Sequence, residues 1–101
     1  MREPRFFVCE HCGNLVGVIH DAGVPMMCCG QKMTELIPGS KDAAQEKHFI
    51  EWIYLQTEQG GQRKALVPGA EPKAVFVLAG GDKPVAAYAY CNLHGLWKAT
   101  V

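Results

Sequence analysis

Four cysteines stand close together in the first third of the chain: Cys9 and Cys12 in "CEHC", then, after fifteen residues, the adjacent pair Cys28 and Cys29 in "MCCG". Thiolates are soft donors, and four of them around a tetrahedron suit zinc or a single iron ion. In a C-x-x-C turn followed by Gly13, backbone amides point at the sulfurs, which lowers the thiol pKa and favours metal ligation. A disulfide between Cys28 and Cys29 would close a small strained ring, so ligation is the better use of that pair. Neighbouring residues do not reach ideal tetrahedral positions easily, and a distorted site is expected. The spacing does not separate iron from zinc. The fifth cysteine, Cys91, lies far away in "YCNLHG", three residues before His94. A thiol and an imidazole at a strand end and its turn have metal-like spacing. The plain alternatives are a buried, inert Cys91, a His94 that stabilises its turn, and a His48 hydrogen-bonded in the core.

The elements that must position these groups read as strands. Leu15–His20 and the run into Met27 are expected to form a hairpin that returns the second cysteine pair to the first. Beyond a turn-forming "PGS" at 38–40 and one helical turn in the following residues, strand-like stretches occupy 48–57, 62–67, 73–79, 84–91 and 96–101. Gly and Pro punctuate them at Gly60-Gly61, Pro68-Gly69 and Gly80-Gly81-Asp82. In "HFIEWIYLQT", period-two alternation puts His48, Ile50, Trp52 and Tyr54 on one face. "KAVFVLA" and "PVAAYAY" are apolar on both sides, as in strands inside a packed sandwich. No helix longer than a turn or two and no internal repeat is evident. The fold class is all-β, in two small parts: residues 1–37 around the four cysteines and residues 38–101 as a small sandwich. About 37 residues cannot bury enough apolar surface without a staple such as a metal.

The totals narrow the function classes. Ten Lys and Arg balance ten Asp and Glu, so no global field draws the chain to nucleic acid or to an acidic membrane. With 49% hydrophobic residues the composition is globular. No signal peptide is visible and no apolar run is long enough to span a bilayer. The expected setting is the cytoplasm, where five cysteines read as metal ligands and free thiols rather than disulfides.

The stretch "FVCEHCGNLVGVIHDAGVPMMCCGQKM" resembles desulforedoxin and the N-terminal domain of the desulfoferrodoxins. The resemblance implies a rubredoxin-like but distorted iron site with Cys9, Cys12, Cys28 and Cys29 as ligands. "EKHFIEWIYL" and "YCNLHGLWKA" resemble two signature stretches of the superoxide reductase domain, an immunoglobulin-like β-sandwich that follows desulforedoxin in that family. There a second iron takes one cysteine sulfur and four imidazoles and leaves its sixth position open. By resemblance, Cys91, His94 and His48 fall on ligands of that second iron. Lys47 would place positive charge near its opening, or be an ordinary solvated lysine. The implied reaction is one-electron reduction of superoxide to hydrogen peroxide. Electrons would come from the N-terminal iron or from an external donor such as a rubredoxin or a reductase.

One departure stands out. The family draws two further histidines, and an earlier E-K-H stretch, from a segment between the two landmarks; here "GSKDAAQEKHFIEW" runs straight from one into the other. His11 and His20 belong to the first part and read as surface or structural residues. The second site is therefore expected to be altered, with His48, Cys91 and His94 as its remaining ligands, and the sandwich to be shortened or completed by a homodimer partner. Three functions follow: a shortened superoxide reductase, a rubredoxin-like electron carrier without turnover, or a zinc-stapled structural module.

Overall fold

The computed structural model describes residues 3–39, 50–67, 71, 73–91 and 95–100. It is all-β, nine strands among the described residues, in two compact units, Met1–Ile37 and Pro38–Val101. No helix of the described residues is long and apolar enough to cross a membrane. The expected helical turn after residue 40 lies outside the described residues.

In the first unit, "RFFV" gives β1 (Phe6–Val8) and "LVG" gives β2 (Leu15–Gly17), which pair antiparallel with Phe7 opposite Val16. The chain reverses between them through the C-x-x-C turn. The amide of Cys9 donates to the Asn14 carbonyl at 2.8 Å, the Gly13 amide donates to the Cys9 carbonyl at 2.8 Å, and Gly13 takes φ +81°. A side chain at that φ would be strained, which is why glycine follows the second cysteine. The other edge of β1 receives β5 (Thr34–Glu35). Arg5 fastens this three-stranded sheet. Its Nε and Nη2 donate to the two carboxylate oxygens of Glu35 at 2.9 and 2.8 Å, and its Nη1 pairs with Asp21.

The hairpin expected between Leu15–His20 and the run into Met27 does not form. β2 pairs with β1 instead, and β3 (Met27–Cys28) pairs with β4 (Gln31–Lys32). The reason is local. The cysteine turn already closes β1 on β2, and a second tight turn, Cys29-Gly30, closes β3 on β4. Both of its residues are left-handed, at φ 52° and 76°, the combination a two-residue type I′ hairpin demands.

Among the described residues the second unit forms an antiparallel sheet in the order β7-β6-β8-β9, built from β6 (Ile50–Thr57), β7 (Gly61–Ala65), β8 (Pro84–Cys91) and β9 (Gly95–Thr100). Trp52 and Tyr54 of β6 sit opposite Tyr90 and Tyr88 of β8. The first pair stacks with ring centroids 5.6 Å apart, and the second meets edge-on at 6.2 Å. Tyr88 and Trp52 are buried, as are Ala86 and Leu96, and each large side chain removed from water contributes on the order of 1.5–3 kcal/mol.

Ile50 does not share the face of Trp52 as simple alternation requires. Ile50 pairs with Cys91 and Trp52 with Tyr90, so two residues of β6 oppose one of β8. This bulge turns Ile50 to the other side of the sheet. There it forms a buried cluster with Cys91, against which Ile53, Leu66, Ala89 and Trp97 pack.

The stretch 73–79 is not a ladder strand. It is extended, with Ala74, Phe76 and Leu78 half-buried between exposed neighbours, but side chains rather than main chain tie it to β7. Gln62 Nε2 donates to the Val77 carbonyl at 2.8 Å, and Lys64 Nζ donates to the Val75 carbonyl. The expected burial on both sides is not met, since Val75 and Val77 face solvent, and its hydrogen bonding is not that of a sheet. At the far edge, Gly39 bridges to Trp97 of β9: its amide donates to the Leu96 carbonyl at 2.8 Å and its carbonyl accepts from Lys98 at 2.9 Å.

Candidate metal centre

The two tight turns of the first unit carry the four thiols. Cys9 and Cys12 flank the turn after β1, Cys28 ends β3, and Cys29 is the first residue of the type I′ turn. Their ligand atoms all lie within 4.8 Å of one another. The Sγ of Cys12 is 3.6 Å from that of Cys28, and the Sγ of Cys28 is 4.0 Å from that of Cys29. Adjacent residues reach one centre because Cys29 leaves the strand in a left-handed conformation, so its side chain does not alternate to the opposite face. That conformation costs about 1–2 kcal/mol in a residue with a Cβ.

The four sulfurs are not equivalent. Cys9 is buried, Cys28 partly so, and Cys12 and Cys29 are exposed. The Cys9 thiol is lowered to about 6, first by hydrogen bonding from the Cys12 backbone, opposed by burial, and further by the His11 backbone and the neighbouring thiols of Cys12 and Cys28. Cys28 is pushed up to about 12, chiefly by its bonds to Cys9 and Cys12, and Cys29 is also raised, first by Cys12. The physical sense is that one thiolate forms readily in the backbone cradle, and the proton-bearing neighbours then donate to it. A second negative sulfur beside the first is disfavoured until a cation compensates it, and a bound metal deprotonates its coordinating thiols outright. Four thiols, one of them with a lowered pKa, make a soft donor set that fits iron or zinc. The backbone donors from His11 and Cys12 are functional groups that side-chain chemistry does not announce; Gly13 after the second cysteine is their one signal in the sequence.

The second set of residues is only partly visible. Cys91 closes β8, is fully buried among Ile50, Ile53, Leu66, Ala89 and Trp97, and pairs with Gly95, whose φ is +84°. Tyr90 beside it has a phenol raised by burial and then by the charges of Glu51 and Cys91. Lys47, His48 and His94 lie outside the described residues. His11 and His20 are exposed in the first unit. Among the described residues, Cys91 is accompanied by no further His, Cys, Asp or Glu close enough to form a metal-binding group with it. Sequence reading missed Gly39, which passed for a turn residue in "PGS" but lies against the Trp97 ring that packs on Cys91.

Comparison with known proteins places this geometry. Residues 35–100 match the family model described as desulfoferrodoxin, and residues 2–36 match its N-terminal domain. The desulfoferrodoxin of Nitratidesulfovibrio vulgaris is 37% identical over 94% of each chain. That alignment spans 121 positions against 101 residues here, so at least 20 positions of the relative have no counterpart in this chain. The superoxide reductase of Pyrococcus horikoshii is 39% identical over 54% of this chain and 58% of its own. The crystal structure of the superoxide reductase from Treponema pallidum matches with a TM-score of 0.81 at 24% identity, covering 99% of this chain and 100% of that one. Its likeness is one of fold. With two family models dividing nearly the whole sequence between them and a four-thiol cluster inside the N-terminal one, the chain belongs to the desulfoferrodoxin family.

Proposed function

We propose that this chain is an iron-binding redox protein in which Cys9, Cys12, Cys28 and Cys29 hold one iron ion, zinc being the substitute. The observation that carries the reading is the gathering of four sulfurs within 4.8 Å in a member of this family. Iron so held supplies one-electron exchange. Cys9 anchors the site through its backbone cradle, and exposed Cys12 and Cys29 present the edge from which electrons enter or leave. In this reading residues 1–37 form the desulforedoxin-like domain and 38–101 a shortened superoxide reductase-like sandwich, in a cytoplasmic homodimer.

The reaction that fits best is reduction of superoxide: one electron and two protons convert each anion to hydrogen peroxide, and a rubredoxin or a reductase resupplies the electron. The name of the Pyrococcus horikoshii relative supports this substrate. Cys91, His48 and His94 are the residues for a second iron, fewer ligands than the family's set, with Lys47 drawing the anion towards them. A second reading has a specific observation behind it. At least 20 residues of the Nitratidesulfovibrio vulgaris relative are absent here, and two of the four histidines, His11 and His20, lie in the first unit. A chain short of imidazoles serves as an electron carrier without turnover.

Metal analysis of anaerobically purified protein separates these readings, since one iron per chain supports the carrier and two the enzyme. Visible absorption separates ferric thiolate from colourless zinc. Superoxide consumption without oxygen release, abolished in Cys91→Ser, establishes the reductase. Protein with both sites filled that leaves superoxide untouched excludes it.

A further inference from the structure

We propose that when the four-sulfur site gives up its ion, Cys12 and Cys28 join in an intramolecular disulfide with hydrogen peroxide as oxidant, a reversible closure that keeps the first unit together without metal. The inference rests on the four-sulfur reading of the site and not on superoxide turnover.

Geometry favours this pair over Cys28–Cys29, and exposure favours Cys12 over Cys9 as the point of attack. The Sγ atoms of Cys12 and Cys28 are 3.6 Å apart, and a bond requires an approach to about 2.05 Å. The two residues come from different hairpins, Cys12 from the turn after β1 and Cys28 from the end of β3, so closure moves two independent turns slightly. Cys28 and Cys29 are farther apart at 4.0 Å and adjacent in sequence. Their ring would be small and strained, and Cys29 is already committed to the left-handed turn at φ 52°. Cys9 is buried, whereas Cys12 is exposed and open to a small oxidant.

The chemistry balances. The Cys12 sulfur attacks peroxide, an S–O bond forms as the O–O bond breaks, and one water leaves. The Cys28 sulfur then displaces the hydroxyl from the resulting sulfenic acid as a second water, forming the S–S bond. Two sulfurs are each oxidised by one electron and peroxide is reduced by two. The bond closes the fifteen residues between Cys12 and Cys28 into a loop, which restrains the unfolded chain as the metal had done. A thiol reductant reopens it and restores the ligand set.

The test uses the full chain, stripped of metal by a chelator under reductant, freed of both without oxygen, and treated with a modest excess of peroxide. The five thiols of the chain fall to three, the intact mass drops by two hydrogens, and peptide mapping finds Cys12 joined to Cys28. Cys29→Ser still forms the link, Cys12→Ser and Cys28→Ser do not, and dithiothreitol restores five thiols and metal uptake. A link that includes Cys9, a Cys28–Cys29 link, a bond between chains, or direct passage to sulfinic acid overturns the proposal. Metal content is measured before stripping, so failure of the four-sulfur metal reading shows there and failure of the switch shows in the thiol map.

Discussion

A methyl group at Gly39 tests how the second unit holds Cys91 in place. A Cβ built at Gly39 would lie 2.7 Å from Cζ3 and 2.8 Å from Cε3 of Trp97, well inside carbon–carbon contact. The indole cannot swing away freely, because it packs on Ile50 and Cys91. The backbone cannot back off freely either, because Gly39 donates to Leu96 at 2.8 Å and accepts from Lys98 at 2.9 Å. Gly39→Ala must therefore break those two hydrogen bonds, at about 0.5–1.5 kcal/mol each, or overpack the ring, at about 1–3 kcal/mol. Either route gives a destabilisation of about 1–3 kcal/mol. Both tryptophans of the chain, Trp52 and Trp97, lie in the second unit, so tryptophan fluorescence follows that unit during urea unfolding. With a urea slope of about 1–3 kcal/mol/M, a loss of about 2 kcal/mol moves the midpoint down by roughly 1 M. Loosening the edge also makes the fully buried Cys91 thiol react with a thiol reagent in the native protein. In a Trp97→Leu background the obstructing ring atoms are gone, and Gly39→Ala should then cost little, a coupling read from the double-mutant cycle. An unchanged midpoint with unreactive Cys91, or a full cost that persists once the indole has been replaced by leucine, refutes the packing argument.

Removing the metal by chelation under reducing conditions should loosen the first unit and spare the second, its strands opening more often while the two cysteine turns stay near one another, since about 37 residues lean on a binding free energy of roughly 10–16 kcal/mol for structural zinc sites. Amide exchange in β1–β5 that is as slow after complete stripping as before would contradict this. Cys29→Gly should act with opposite signs. Glycine accepts φ 52° without strain, so the stripped β3–β4 hairpin gains order, while the loaded protein loses a ligand and binds metal more weakly in competition titrations; a loss in both states refutes the strain assignment. Asp82 accepts hydrogen bonds from the amides of Gln59 and Lys83 at 3.0 and 2.9 Å. Its carboxyl is held below the ordinary value, first by the Thr57 side chain and against a smaller opposing effect of burial. Because the folded value lies below the unfolded one, its stabilisation is fully present above about pH 4 and disappears as pH falls through the folded value. Thermal melts between about pH 6 and 3 should show that decline in the wild type and a flatter profile in Asp82→Asn; parallel profiles would remove Asp82 from the account.

Covalent spacing and local conformational preference can be read along the chain alone. Cys9-x-x-Cys12-Gly13 encodes a tight turn with amides facing sulfur, because glycine alone accepts φ +81° there without strain. The apolar runs read over 48–57, 84–91 and 96–101 encode the strands β6, β8 and β9, and two landmark stretches carry the family. The tertiary structure decided how those pieces meet. Pairing partners are set by where the tight turns lie, so β2 returns to β1 and β3 pairs with β4, against the simplest hairpin. A single bulged residue near Glu51 turned Ile50 from the aromatic face to the Cys91 face, a shift that alternation along one strand cannot reveal because it depends on the register of β8. Residues 73–79 alternate as a strand does, yet their carbonyls meet the Gln62 and Lys64 side chains rather than a ladder. The adjacent cysteines converge through a left-handed Cys29, a conformation that propensity disfavours and that the surrounding turn and sulfur cluster impose. Spacing names the donors; only the packed chain sets which of them is buried and which is exposed.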